Sequence, residues 1–187
     1  SAINLIVTLV KMRCPGMGLM KMPLFTWSAL CANVLIIAIF PVFMAALFLL
    51  ALDRFAGTHF FTNDLGGNAM IYVNLIRAWV LPEVCVLMLP AFGIFSEVTA
   101  TFCGRRLFGY TAMVWATCSV TLLAVLAVLA VLVGLLHLLP LGAGTRTDTF
   151  LGLSTLIFAI PVGAMVLNWV FTLYRGAIRF EVPMMWV

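Results

Sequence analysis

From Leu24 to Leu52 the chain runs through 29 residues without one charged side chain. A hydrocarbon core about 30 Å thick is crossed by about 20 helical residues, so this run is long enough to span a bilayer. Three further stretches, 74–102, 109–139 and 149–174, have the same character. In each the apolar positions cover every face of a helix instead of one stripe, which is the pattern of a helix surrounded by lipid and other helices. With 65% hydrophobic and 9% charged residues and a mean hydropathy of +1.24, the composition lies far outside that of soluble domains. The expected fold is all-α: a polytopic transmembrane helix bundle with four full spans at about 24–52, 74–102, 109–139 and 149–174. Ala2 to Val10 is apolar but too short to cross, and reads as a partial N-terminal helix. The chain starts at Ser1, with no signal peptide before the first apolar run, and is expected to be a fragment or a processed chain.

Glu83 is the acidic residue set well inside an apolar run, between Pro82 and Pro90 of the stretch 74–106. A carboxylate at the bilayer centre costs roughly 2.5–3.5 kcal/mol on insertion scales, so it is expected to be protonated, hydrogen-bonded or facing internal water. Two roles fit: a proton relay, or a neutral acid satisfying a backbone group freed by one of the prolines. The prolines place this helix among neighbours. Asn33, inside the first span, is expected to bond to another helix or back to its own backbone.

The cations report topology. Lys11, Arg13, Lys21, Arg105, Arg106, Arg175 and Arg179, seven of the ten Lys and Arg residues, fall in loops on one side if the spans alternate. Arg54 and Arg146 fall on the other, and Arg77 lies near a helix end. By the positive-inside rule the loops around Lys11, Arg105 and Arg175 are cytoplasmic. The cations are spread over loops and form no patch in the sequence, so no nucleic-acid partner is implied. Cys14, Cys31, Cys85, Cys103 and Cys118 show no metal or disulfide spacing, and most of them read as small buried side chains. His59 reads as an exposed loop residue with no second ligand type nearby.

Five stretches resemble subunit I of the haem–copper respiratory oxidases, most closely the bacterial cytochrome bo-type ubiquinol oxidases. They are THFFTNDLGGN (58–68), AWxxPEV (78–84), LPAFGIFSEVTATF (89–102), RLFGYTAMVWAT (106–117) and IFAIPVGAMVLNWVFTLYRG (157–176). The resemblance implies that the chain corresponds to the end of the family's fourth core helix and then its fifth to eighth. It implies haem and copper as cofactors, the bilayer with other oxidase subunits or the remaining subunit I helices as partners, ubiquinol as a possible donor, and the bacterial inner (plasma) membrane as location. It also implies that the helices bearing the haem iron ligands lie outside this chain. Glu83 matches the family's intramembrane glutamate, which passes protons toward the oxygen site.

The same comparison places departures on the chemistry. Where the family reads GHPEVY, with a copper-ligating histidine joined to the tyrosine one turn on, this chain has Leu81 and Cys85. The family's adjacent histidine pair falls on Leu136 and His137, leaving His137 as a single candidate copper ligand, and six extra residues within the Leu-Ala-Val tract shift that pair by about 1.7 turns. The channel lysine falls on Met165. Arg77 stands at a family tryptophan and is expected to snorkel to the headgroups, with pairing to an acidic group or a haem propionate as the alternative. Three readings follow: part of a proton-pumping terminal oxidase that is not catalytically competent alone; a degenerate or truncated membrane paralogue with a structural or assembly role; and a small proton-conducting bundle using Glu83, for which no paired ionisable residue or inverted repeat is seen.

Overall fold

In lipid no water hydrogen-bonds a bare backbone, so each apolar run must close its N–H and C=O groups within itself. The computed structural model follows this rule and describes residues 1–62, 66–138 and 144–187. Within those helices, the side chains of 77–78, 81, 131, 133–138, 144–148, 150–151 and 154 lie outside the described set. The helices are α1 (Ala2–Lys11), α2 (Leu24–Phe55), α3 (Ala69–Phe102), α4 (Tyr110–Leu138), α5 (Gly144–Leu173) and α6 (Val182–Met185), with a 3₁₀ turn at Leu19–Lys21. There is no strand among the described residues. Four helices are long and apolar enough to cross a membrane, and the chain is an integral membrane protein. The 32 residues of α2 rise about 48 Å at 1.5 Å each, so both its ends pass beyond the hydrocarbon.

Three boundaries differ from expectation by several residues, α5 starting at Gly144 instead of Thr149. Helix α2 continues through Asp53 and Arg54 to Phe55, and α3 begins at Ala69 instead of Asn74. The Asp53 carboxylate accepts from the Thr58 hydroxyl (2.8 Å) and from the amides of Phe60 and Phe61 (2.9 Å each), folding the connection back onto the helix end. Asn68 then caps α3, its Oδ1 accepting from the Met70 amide at 2.9 Å. Polar residues that looked like loop are the devices that end one helix and start the next.

Helix α3 packs against α2, α4 and α5, and α2 also packs against α4. The core between them holds Leu35, Ile39, Leu89, Met113, Ala124 and Met165, each at most 1% exposed. Apolar side chains gain nothing by leaving lipid for one another, so close backbone approach through small residues matters more here than in water. Gly93 of α3 supplies it: a Cβ there would collide with the Ser28 hydroxyl and lie 2.8 Å from the Phe25 Cα of α2. Several polar groups inside the spans bond back to their own helix. Asn33 donates to the Ala29 carbonyl (2.7 Å), Thr117 to Met113 (2.8 Å), Thr121 to Thr117 (3.0 Å) and Asn168 to Ala164 (2.8 Å). Of the two partners expected for Asn33, its own backbone is the one observed.

Candidate functional site

Residues two apart on a helix point to nearly opposite faces, and this separates Glu83 from Cys85. Cys85 is 8% exposed and joins the core with Leu89 one turn on. Glu83 lies on the other face with Leu87, exposed on this chain, and lines an open cavity of about 210 Å³ with Ile36 and Ile39 of α2 and with Trp79 and Val86. The ring of Trp79 stacks on Phe43 of α2, centroids 4.5 Å apart at 25°, which fixes one wall. Although α3 sits among neighbours, as its prolines suggested, the carboxyl group itself is on an open side. Among the described residues no hydrogen bond reaches it and no second ionisable side chain lines the cavity. The volume far exceeds the roughly 10–15 Å³ one water needs. A carboxyl group in such a place can hold a proton and present it to whatever fills the cavity.

Opposite this region, at the far end of the bundle, a second cluster forms that the sequence did not advertise. Glu97 of α3 accepts from the Leu24 amide at 2.8 Å, capping α2 from a neighbouring helix. Tyr110 donates to the Met22 carbonyl, and Trp27 Nε1 donates to the Leu19 carbonyl at 3.2 Å. Ser96 links α3 to α5, accepting from Trp169 Nε1 at 2.8 Å while donating to the Phe92 carbonyl at 2.7 Å. Glu97 looks in sequence like an ordinary charge at a span's end, and the clue to its role was the absence of any capping side chain before Leu24, where Pro23 stands.

The resemblance puts copper ligands at positions 81, 136 and 137. Leu81 and Leu136 carry no lone pair, and the side chains of Leu81, Leu136, His137 and Arg77 lie outside the described residues. Among the described residues no three His, Cys, Asp or Glu side chains come together in a metal-holding group. His59 is exposed in its loop and all five cysteines are free thiols. Copper takes several nitrogen or sulfur ligands, and the described residues bring no such group together. Met165, which the resemblance sets against the family's channel lysine, is 1% exposed and packed in the core.

Comparison with known proteins identifies the family of this chain. The family model described as Cytochrome C and Quinol oxidase polypeptide I matches residues 1–187. The chain belongs to this oxidase family. It is 52% identical over 186 residues to cytochrome bo(3) ubiquinol oxidase subunit 1 of Buchnera aphidicola (subspecies Acyrthosiphon pisum) and 52% identical to ubiquinol oxidase subunit 1 of Acetobacter aceti. It is 44% identical to quinol oxidase subunit 1 of Bacillus spizizenii. Each match covers 100% of this chain but only 27–28% of the relative. An oxidase polypeptide I of this kind is a haem–copper respiratory protein of the membrane that works with other subunits, and this chain spans about a quarter of its length.

Proposed function

We propose that this chain forms part of subunit I of a bacterial haem–copper terminal oxidase, fed by ubiquinol, and that it does not reduce oxygen by itself. The observation that carries the second half is the donor set: leucine stands at 81 and 136, where the resemblance puts copper ligands. Cys85 replaces the phenol, and the buried Met165 puts an unprotonatable thioether where a channel lysine would titrate. What the chain retains is helix packing and one carboxyl group. Glu83 keeps the position from which the family's glutamate passes protons, and its open cavity between α2 and α3 supports that assignment. His137 remains a lone copper-ligand candidate; one imidazole is a weak site without others. A degenerate or truncated paralogue with an assembly role is the second reading, supported by a packed helix core beside leucines at 81 and 136. Residence in the bacterial inner membrane, with the loops around Lys11, Arg105 and Arg175 cytoplasmic, belongs to the same proposal.

The test is a reduced-minus-oxidised optical spectrum with carbon monoxide, together with copper analysis, on the purified membrane complex that contains this chain. The expected outcome is no carbon monoxide-binding haem and copper far below one per complex. A carbon monoxide-binding haem with near-stoichiometric copper would refute incompetence and mean that other segments complete the site. In the first case, recovery of other oxidase subunits with the chain supports an assembly role.

A further inference from the structure

Two cavities between α4 and α5 share Leu123 and Ile157 and so form one groove. Their volumes are about 550 Å³ on the Ala112 side and about 450 Å³ on the Ala130 side. Ala112, Ala116, Ala127 and Ala164 line it with small side chains, while Leu123 and Ile157 form its walls. From Ala112 to Ala130 the groove follows α4 for about 27 Å at 1.5 Å per residue, deeper than one leaflet of a core about 30 Å thick. Among the described lining residues the one hydroxyl, Ser119, is already spent on the Ala116 carbonyl at 2.8 Å. The occupant is therefore hydrocarbon along its whole length.

What sits at the mouth decides which hydrocarbon. The groove's Ala112 end adjoins the loop after α3, and that loop is stitched to the segment after α5. Arg105 Nη1 donates to the Tyr174 carbonyl (3.0 Å), the Phe108 amide to the Thr172 hydroxyl (3.0 Å) and the Arg179 amide to the Phe102 carbonyl (3.0 Å). The stitching gathers Arg105, Arg106, Arg175 and Arg179, all exposed, at one end of the helix pair. Cations that are scattered in the sequence thus become a patch in three dimensions. Exposed aromatic rings stand beside it: Phe108 and Phe171 contact each other at 5.3 Å, and the Arg175 guanidinium lies 5.3 Å from the Tyr174 ring centre. Aromatic rings with arginines at one level mark a membrane–water boundary. Of the acids near this end, Glu97 is engaged with the Leu24 amide. Glu181, at the start of α6, is exposed.

We propose that the α4–α5 groove holds an acyl chain of an anionic phospholipid whose phosphate is bound by Arg105 and Arg175. A guanidinium has five N–H donors in a planar fork, so Arg105 keeps donors for phosphate oxygens after serving Tyr174. A zwitterionic lipid would fill the groove equally well but bring a headgroup cation against the arginine patch beside its phosphate. The inference depends on the membrane location of the chain and not on the oxidase reading.

The test uses phosphatidylglycerol and, separately, phosphatidylcholine, each with a photoactivatable diazirine in one acyl chain, in vesicles holding the complex that contains this chain. Adducts are mapped by mass spectrometry. Labelling of Leu123, Leu126 and Ile157 by phosphatidylglycerol in excess of phosphatidylcholine is expected. The double change Arg105→Gln/Arg175→Gln should lower that labelling on the order of tenfold, since each basic residue near a surface contributes separately to anionic-lipid attraction. Arg105→Lys/Arg175→Lys should retain most of it, and Arg54→Gln all of it. Equal labelling by both lipids, or loss in the lysine variant as large as in the glutamine variant, would overturn the proposal. So would unlabelled groove residues, which would mean that protein covers this face.

Discussion

A single methylene decides how close α2 and α3 come. Gly93→Ala places a methyl group against Ser28 and 2.8 Å from the Phe25 Cα, and backbone cannot swing aside as a side chain can. Overpacking of this kind costs about 1–3 kcal/mol, which should appear as a lowered midpoint in thermal unfolding of the purified protein. Adding Ser28→Gly removes the hydroxyl but not the backbone conflict, so it should recover only part of the loss. Glu97 offers a different lever. Glu97→Ala removes the acceptor of the Leu24 amide at the positive end of α2 and should cost about 1–2 kcal/mol in the same assay, with Glu97→Gln losing less. Of the two acids, Glu83 was legible in the sequence because nothing around it is polar. Glu97 was not, because an acid near a span's end is ordinary until the partner helix is known.

Among the elements, α3 carries the candidate site and depends on its own start. Asn68 holds the Met70 amide at 2.9 Å where α3 begins. Asn68→Ala should cost about 1 kcal/mol and speed hydrogen exchange at Met70 and its neighbours in the first turn, while the exchange of Leu89 amides near the core stays unchanged. Uniform acceleration along α3 would show instead that the cap and the span unfold together. The spans were readable as elements because their length and all-round apolarity permit few alternatives to a helix in lipid. Their ends were less readable. Asp53 and Asn68 act through hydrogen bonds to amides several residues away, and residue type alone does not say whether such a group belongs to a loop or closes a helix.

For the whole molecule, the loops on one side meet. The segment before α2 reaches Glu97 and Tyr110, and the loop after α3 reaches the segment after α5. Cys14 is the exposed thiol in the first of these loops, whereas Cys103, fully buried, has its thiol pushed above the usual cysteine range by burial. A membrane-impermeant maleimide at pH 8 should therefore label Cys14 in inside-out vesicles and not in right-side-out ones, and should leave Cys103 unmodified until the protein is denatured. Labelling of Cys14 from the opposite face would reverse the proposed sidedness. The sequence by itself determined that this chain is a set of membrane helices, one of them carrying an acid in mid-span, and that it resembles an oxidase subunit, because hydrocarbon leaves an apolar backbone so few solutions. Only the tertiary structure decided that Glu83 faces an open cavity while Cys85 faces the core, that Glu97 caps α2, and that scattered arginines share one groove mouth. Those outcomes join residues 73 positions apart, as in Glu97 with Leu24, or 69 apart, as in Arg105 with Tyr174. The physical reason is that hydropathy is a property of each residue, whereas a hydrogen bond between helices depends on which faces pack together.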